Sequence, residues 1–311
     1  MSLVLHGIFL VIVGLLFIAG NLGNGFIALV NCRNWARRRK LSSVDLILTM
    51  LAVSRIGLLL SSCTSMLMAS LNPELWKTAN MLKMIFLTWM VTNHFSIWLA
   101  TSLSVFYFFK IANFSNSVFL YLKWRVRKVV FWMILGSLVI LFISGFLMNR
   151  AISVWLLEFQ NMSRIFSSET SLQFSTHFFI RINLFLCIPF PVSLVAFILL
   201  IFSLWRHHKR MRPHGPGPRD ASLAAHVRAL QMVITFLLLY SIFFLFLIIQ
   251  IWNHATLENT HVIWLSEVVV MFFPSFHSYT LILGNSELRQ AWLCCCGRGA
   301  GGSTPQGRGT S

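Results

Sequence analysis

The sequence predicts an all-α membrane protein: a seven-transmembrane-helix bundle with its N-terminus extracellular and a short amphipathic helix after helix seven. One observation behind this is the presence of seven apolar runs, each long enough to meet the roughly 20 residues a helix needs to cross about 30 Å of hydrocarbon. Another is the placement of charge. Of the 25 Lys and Arg residues, 19 fall in four segments, Arg33–Lys40, Lys110–Lys128, Arg206–Arg228 and Arg289–Arg308, which lie between or after apolar runs. Composition agrees, since 57% apolar residues, 11% charged residues and 29 Phe leave too little polar surface to cover a soluble globule of this length. A net charge of +17 on its own would suit a nucleic-acid binder. Confined to alternate loops of a hydrophobic chain it is instead the positive-inside signature, and no nucleic-acid partner is expected.

The first span, Ile8–Cys32, is too long for a cleavable signal peptide and runs straight into Arg33, so it is expected to act as its own insertion signal. Val44–Ser70 and Met84–Phe109 form the second and third spans, joined by a connection that carries few cations. The basic stretch Lys110–Lys128 then leads to the fourth span, Val129–Met148. Beyond it lies the longest outer loop, roughly residues 149–177, which is polar and holds the sequon Asn161-Met162-Ser163; the orientation makes Asn161 available for glycosylation. A second sequon at Asn113 falls on the cytoplasmic side, where it is silent. Phe178–Trp205, Ala229–Ile251 and Val262–Gly284 complete the set. After them, Leu288, Ala291, Trp292 and Leu293 alternate with Arg289 and Gln290, the pattern of a helix lying on the inner surface. Residues 1–296 thus make one helical membrane domain that includes the juxtamembrane helix, and 297–311, Gly-rich and without apolar anchors, a disordered cytoplasmic tail.

Cysteine usage points away from outer-loop disulfides, because none of the six cysteines falls in an expected outer loop. Cys294, Cys295 and Cys296 form a run beside the bilayer, which fits either reversible acylation or unmodified thiols better than a metal site. No metal and no cofactor is expected.

Polar residues inside spans are costly in lipid and face the bundle interior. Asn24, Arg55, His277 and Ser278 share one depth, roughly 10–17 Å from the cytoplasmic boundary at 1.5 Å per residue. Arg55 has no carboxylate at that level, so its donors are expected to reach Asn24, Ser278 and carbonyls of the seventh span. A polar switch and a static interhelical clasp both fit these residues. Nearer the outer end, Trp89 and Asn93 lie four apart on one face of the third span. Tyr240, Phe243, Phe244 and Leu247 make a similar face on the sixth, and Glu267 stands about one turn into the seventh. These residues suit an apolar, aromatic small-molecule pocket, with Glu267 able to attract a cationic amine. Ordinary packing, with Glu267 paired to Arg181, fits the same spacing. His94 beside Asn93 points about 100° away and is read as a packing residue.

Four runs identify the family more narrowly. Leu51-Ala52-Val53-Ser54-Arg55, the stretch FYFFKIANFS from Phe106 to Ser115, LIFSLWRH from Leu200 to His207, and HSYTLILGN from His277 to Asn285 resemble the hallmarks of mammalian type 2 (bitter) taste receptors. The resemblance runs from the first span to the end of the seventh. It implies a G-protein-coupled receptor of the plasma membrane, multi-pass, that binds small bitter agonists and activates a heterotrimeric G protein of the gustducin or inhibitory class. It implies that Asn24, Arg55, His277 and Ser278 act as the switch, and that Trp89, Asn93, Tyr240, Phe243, Leu247 and Glu267 line the ligand pocket. It also matches Asn161 to the family's second-loop glycosylation site. Phe106, Tyr107, Lys110, Lys123, Arg206, His207 and Lys209 would then surround the cleft that admits the Gα tail, with membrane lipid, sterol among the candidates, at the same basic rim. The sequence departs from the family pattern at Leu247, where close relatives carry an aromatic residue, and at Tyr279-Thr280, where Phe-Ile is more usual. Both departures bear on ligand range. A transporter or channel for small molecules is the rival class, but it would be expected to show internal repeats or several intramembrane carboxylates. An enzyme would need a nucleophile, base or metal cluster, and the His residues here are scattered.

Overall fold

The computed structural model describes residues 3–38, 42–72, 78–162, 188–211, 234–246 and 260–300, together with 231, 248 and 249. These residues form helices: α1 (Leu3–Arg38), α2 (Ser43–Leu71), α3 (Ala79–Ile111), α4 (Ser117–Trp124), α5 (Val126–Met162), α6 (Pro189–Met211), α7 (Ile234–Phe246), α8 (Thr260–Gly284) and α9 (Ser286–Ala300). By length and composition, stretches of five of them can cross a membrane: Gly7–Arg37, Ser43–Met68, Val126–Arg150, Pro189–Arg206 and Glu267–Gly284. Helix α7 is apolar over a shorter described length.

Helix α3 has 33 residues, ample length to span, but several of its buried side chains are polar. Asn93, His94, Ser96, Thr101, Ser102 and Ser104 are all buried. The reason is position: α3 packs against α2, α5 and α6, so protein surrounds most of it. Its hydroxyls bond largely to their own helix, Ser102 Oγ to Trp98 O (2.7 Å) and Ser104 Oγ to Ala100 O (2.9 Å), while Ser193 Oγ of α6 donates to Thr101 Oγ1 (2.9 Å). Helix α5 is the opposite case. Only 17% of its apolar window is buried, against 56% for α8, which fits α5 turning most of its surface to lipid.

Chain order sets the neighbours. Helix α1 packs on α2 and on α8, and α2 packs on α3. Aromatic side chains of α7 bridge α6 and α8, through Phe236 to Phe197 (5.1 Å between centroids) and Phe243 to Phe273 (5.2 Å). Helix ends follow local chemistry. The Ser42 hydroxyl accepts from Asp45 N at the start of α2 (3.1 Å), Asn116 caps α4, and Asn285 Oδ1 accepts from Glu287 N and Leu288 N at the start of α9 (3.0 and 3.3 Å).

Several boundaries differ from the sequence expectation. Helix α5 continues to Met162, because residues 149–162 contain no Gly or Pro to stop it; the first turns of the expected outer loop are therefore helical. Helix α9 runs to Ala300, four residues into the expected tail. The short helix α4 within the basic stretch was not anticipated.

The α1–α8 seam is built from small residues. A Cβ at Gly20 would overlap the Ser275 hydroxyl and a Leu59 methyl, and one at Gly23 would overlap the Ser278 hydroxyl. In lipid, helix association depends on such close backbone approach. Replacing Gly23 with Val is expected to lower the stability of the protein by about 1–3 kcal/mol through overpacking. Gly25→Ala, at a position open around its would-be Cβ, should have little effect. Thermal unfolding of the purified protein in micelles compares them, and equal melting temperatures would refute the tight seam.

Candidate functional site

The four polar residues placed at one depth by sequence are brought together, all buried: Asn24 and Arg55 at 0% exposure, His277 at 2%, Ser278 at 0%. Their pairing differs from the expectation. Arg55 Nη2 donates to Nδ1 of His277, not to Asn24 or Ser278. A guanidinium only donates, so this contact requires Nδ1 to be the acceptor and the imidazole proton to sit on Nε2. Asn24 Nδ2 instead donates to Gly20 O (2.8 Å) and to Pro274 O across the seam (3.3 Å). The Ser278 hydroxyl is taken by its own helix, donating to Ser275 O (2.6 Å). Ser275 Oγ lies within bonding distance of Met271 O (2.7 Å) and Leu16 O (3.0 Å), and Tyr279 OH donates to Ala19 O (2.8 Å). Equal depth along the axis was legible in the sequence. The rotation of each helix, which decides who meets whom, was not.

A residue that sequence reasoning missed holds the centre. The Phe273 ring lies 5.5 Å from the Arg55 guanidinium carbon and stacks on His277 (5.7 Å, 20°), Tyr240 (5.6 Å, 30°) and Phe243 (5.2 Å, 28°). The quadrupole of the ring offers a buried cation an attractive face. Its signal in the sequence was the i, i+4 spacing from His277, which puts both on one face of α8. Phe236 adds a second contact to His277 at 4.4 Å.

Tyr240 and Phe243 are both buried at 2% exposure, and α6 faces them with Phe190, which stacks on Phe244 (4.1 Å, 5°) and meets Tyr240 edge-on (5.2 Å). Trp89 is half-buried and packs in part on Met90, Met148 and Ile152, toward α5. Asn93 is 1% exposed, and its Nδ2 has no acceptor among the described residues. Glu267 is half-buried in the first half of α8. Leu247 and Arg181, and the side chain of Asn161, lie outside the described residues. His94 is buried against Phe95 and Trp98 (5.9 and 6.0 Å), as a packing residue would be.

Toward the basic end, a cavity of ≈ 30 Å³ opens beneath His277. Ser104 and Tyr107 of α3, Phe197 of α6, Phe236 of α7 and Thr280 of α8 help line it. Beyond it the rim residues separate into two groups. Phe106 is buried and Tyr107 half-buried, whereas Lys110, Arg206 and Lys209 are exposed. Lys123 is committed locally, its Nζ donating to Ala112 O (2.8 Å) at the end of α3. Asn113 N donates to Ser203 Oγ of α6 (3.0 Å), which ties the connection after α3 to α6. Phe119 of α4 packs on Phe108, Phe109 and Phe114, with centroids 5.1–5.6 Å apart. The side chain of His207 lies outside the described residues.

The sequence profile described as "Taste receptor protein (TAS2R)" matches residues 1–296. The chain is 51% identical to taste receptor type 2 member 125 of Rattus norvegicus over 286 residues, 90% of this chain and 92% of that one. It is 50% identical to member 140 of Rattus norvegicus over 277 residues, 89% of each, and 48% identical to member 14 of Macaca mulatta over 291 residues, 93% of this chain and 91% of that one.

The Arg55–His277 pair can be tested by a double-mutant cycle. His277→Phe leaves the guanidinium buried without its acceptor and is expected to cost about 3–5 kcal/mol. Adding Arg55→Met should recover much of that loss, because the double variant buries no uncompensated charge. Thermal unfolding in micelles reads the cycle, and strictly additive losses would show that the two residues act separately.

Proposed function

This chain belongs to the type 2 taste receptor family, bitter-taste G-protein-coupled receptors of the membrane and not enzymes, and from that premise we propose how its residues detect a ligand and pass the signal on. Seven spans with the N-terminus outside carry an agonist pocket between the third, sixth and seventh spans, α3, α7 and α8. Trp89, Asn93, Tyr240, Phe243, Leu247 and Glu267 contribute to it. The observation that carries this reading is the continuous stack Phe243–Phe273–His277, with Arg55 over Phe273. A ligand that displaces Phe243 or Tyr240 must shift Phe273, and a shift of Phe273 changes the surroundings of a buried cation. Because packed aromatic contacts have discrete arrangements, a small displacement at one end becomes a choice between two states at the other.

An agonist activates only by its tighter binding to the active arrangement, and a coupling of about 1–3 kcal/mol is ordinary for such a shift. Asn24, Arg55, His277 and Ser278 form the switch. Its movement separates the basic ends of α6 and α7 from α3, opening the cleft beside Phe106, Tyr107 and Lys110. The Gα tail of a gustducin or inhibitory-class heterotrimer enters there, against Arg206, His207 and Lys209, while Lys123 braces the end of α3 through its bond to Ala112 O. Anionic lipid or sterol would occupy the same rim in the resting receptor, and the receptor reaches the plasma membrane glycosylated at Asn161.

The test is a calcium assay in transfected cells with a chimeric Gα carrying the gustducin tail. Phe273→Leu keeps the bulk and removes the π face, so agonist potency should fall more than tenfold at unchanged surface level, while Phe276→Leu on the exposed side of α8 should behave as the native receptor. Unchanged potency for Phe273→Leu would remove the stack from the mechanism. Silence of the native receptor across a broad panel of bitter compounds, despite surface expression, would overturn the receptor reading itself. Glu267→Gln should weaken cationic agonists selectively, and equal loss for neutral ones would make Glu267 structural.

A further inference from the structure

The short helix α4 carries apolar side chains on two sides. Phe119 faces the bundle, buried against Phe108, Phe109 and Phe114 with centroids 5.1–5.6 Å apart. On the side away from Phe119, at 3.6 residues per turn, stand Leu120, Tyr121 and Trp124. All three are exposed, Trp124 at 91%. Arg125 fixes the middle of this face: its guanidinium carbon lies 4.6 Å from the Tyr121 ring centroid, and Nη1 donates to Tyr121 OH (2.7 Å). The arginine is committed to the ring, and the ring is held where it stands, uncovered.

Two contacts set the depth of this face independently. Phe119 packs on Phe108 and Phe109, the aromatic pair of α3 just before Lys110, so α4 lies against the end of the apolar stretch and not below it. From the other end, Arg125 alone separates α4 from α5. In α5, Lys128, Phe131, Trp132, Leu135, Val139 and Phe142 follow i, i+3, i+4, i+7, i+11, i+14 and share one exposed face. That is the face α5 offers to lipid. Its polar end, where Arg127 and Lys128 are both exposed, stands only about 4–6 Å along the helix from Phe131 at 1.5 Å per residue. The aromatic face of α4 therefore continues the lipid face of α5 at the headgroup boundary, the level that suits Trp and Tyr rings with an apolar body and a polar tip.

We propose that Leu120, Tyr121 and Trp124 form a docking surface for anionic phospholipid, with their side chains at the top of the acyl chains and Arg127 and Lys128 on the headgroup phosphates. Amphipathic helices bind membranes in this way, apolar side chains supplying the depth and cations the preference for negative lipid. The occupant is a bilayer because the face runs on into the lipid face of α5, and because its uncommitted charge is positive where a cytoplasmic leaflet is negative. The residues proposed to receive the Gα tail take no part in it. Seated so, α4 braces the end of α3 from the lipid side through Phe119. In cells the inference rests on the N-terminus-out orientation proposed above, but in a nanodisc, which presents the same lipids on both faces, it does not.

Photo-crosslinking of the full-length receptor reads this out. Benzoylphenylalanine replaces Trp124, or Phe142 as the control deep in the lipid face, and the receptor is irradiated in nanodiscs of equal phosphatidylcholine and phosphatidylserine. Mass spectrometry then identifies the adducts. Position 124 is expected to capture phosphatidylserine over phosphatidylcholine by at least about fivefold, position 142 to capture both alike, and R127Q/K128Q to lose the preference at 124. Lipid adducts at 142 with none at 124, equal capture of the two lipids at 124, or a preference undiminished in R127Q/K128Q overturns the proposal. So does capture of Gα in place of lipid at 124 in cell membranes that hold the heterotrimer, since the face would then belong to a protein partner. The nanodisc contains no G protein and is symmetric, so failure there leaves the orientation and signalling readings standing.

Discussion

A guanidinium with no solvent contact sets the terms on which α1, α2 and α8 meet. Arg55 at 0% exposure must find compensation inside the protein, since an uncompensated buried charge costs several kcal/mol. Its compensation comes from one imidazole nitrogen and one aromatic face, and both belong to α8. That requirement fixes the rotation of α8 toward α2. It also leaves the other edge of α8, with Ser275 and Ser278, against α1, where only Gly20 and Gly23 leave room. The small-residue seam and the arginine site are two sides of one helix, and neither can move without the other.

The arginine is not fully satisfied by this arrangement. Nε and Nη1 of Arg55, and Oδ1 of Asn24, have no hydrogen-bond partner among the described residues. An apolar clasp would have been cheaper than a charge held in this way, so stability alone is a poor reason for it. A group with unmet bonding capacity in a low-dielectric interior is sensitive to small displacements of its neighbours, because each ångström changes its energy steeply. That property suits the proposed switch better than an inert clasp, and the link from Phe273 to Phe243 would give it a physical input.

Much of the fold was legible because the bilayer imposes it. A span must be long and apolar, so the runs at 8–32, 44–70 and 262–284 fall on α1, α2 and α8 within a few residues. Helix ends were less legible, since the bilayer limits the apolar stretch and not the helix: α1 continues through Arg37, and α5 continues past Arg150. Within the site, burial of Asn24, Arg55, His277 and Ser278 followed from the cost of polar groups in lipid. Their pairing did not, because sequence spacing gives height along a helix and not its rotation against a neighbour. Phe273 was hidden for a different reason. In a chain with 29 Phe, its i, i+4 spacing from His277 does not single it out from the other aromatics until a cation is found over its face.

The basic segments are proposed to serve two purposes, topology and docking, and their contacts differ residue by residue. Any Lys or Arg on the right side of the membrane contributes to topology, but only a cation free to move can meet a partner. Lys123 spends its ammonium on Ala112 O and stands 5.7 Å from the Phe119 ring, and Arg125 Nη1 donates to Tyr121 OH at 2.7 Å. Both stabilise the segment between α3 and α5. Lys110 and Lys209 rest over Phe106 and Trp205 at 5.8 and 5.7 Å, contacts worth about 0.5–1 kcal/mol at exposed sites. A partner carrying carboxylates can compete for these two at small cost, and Arg206 is exposed beside them. The rim able to receive an acidic segment is therefore narrower than charge counting suggests. It is centred on the ends of α3 and α6, which the Ser203–Asn113 bond joins in this arrangement.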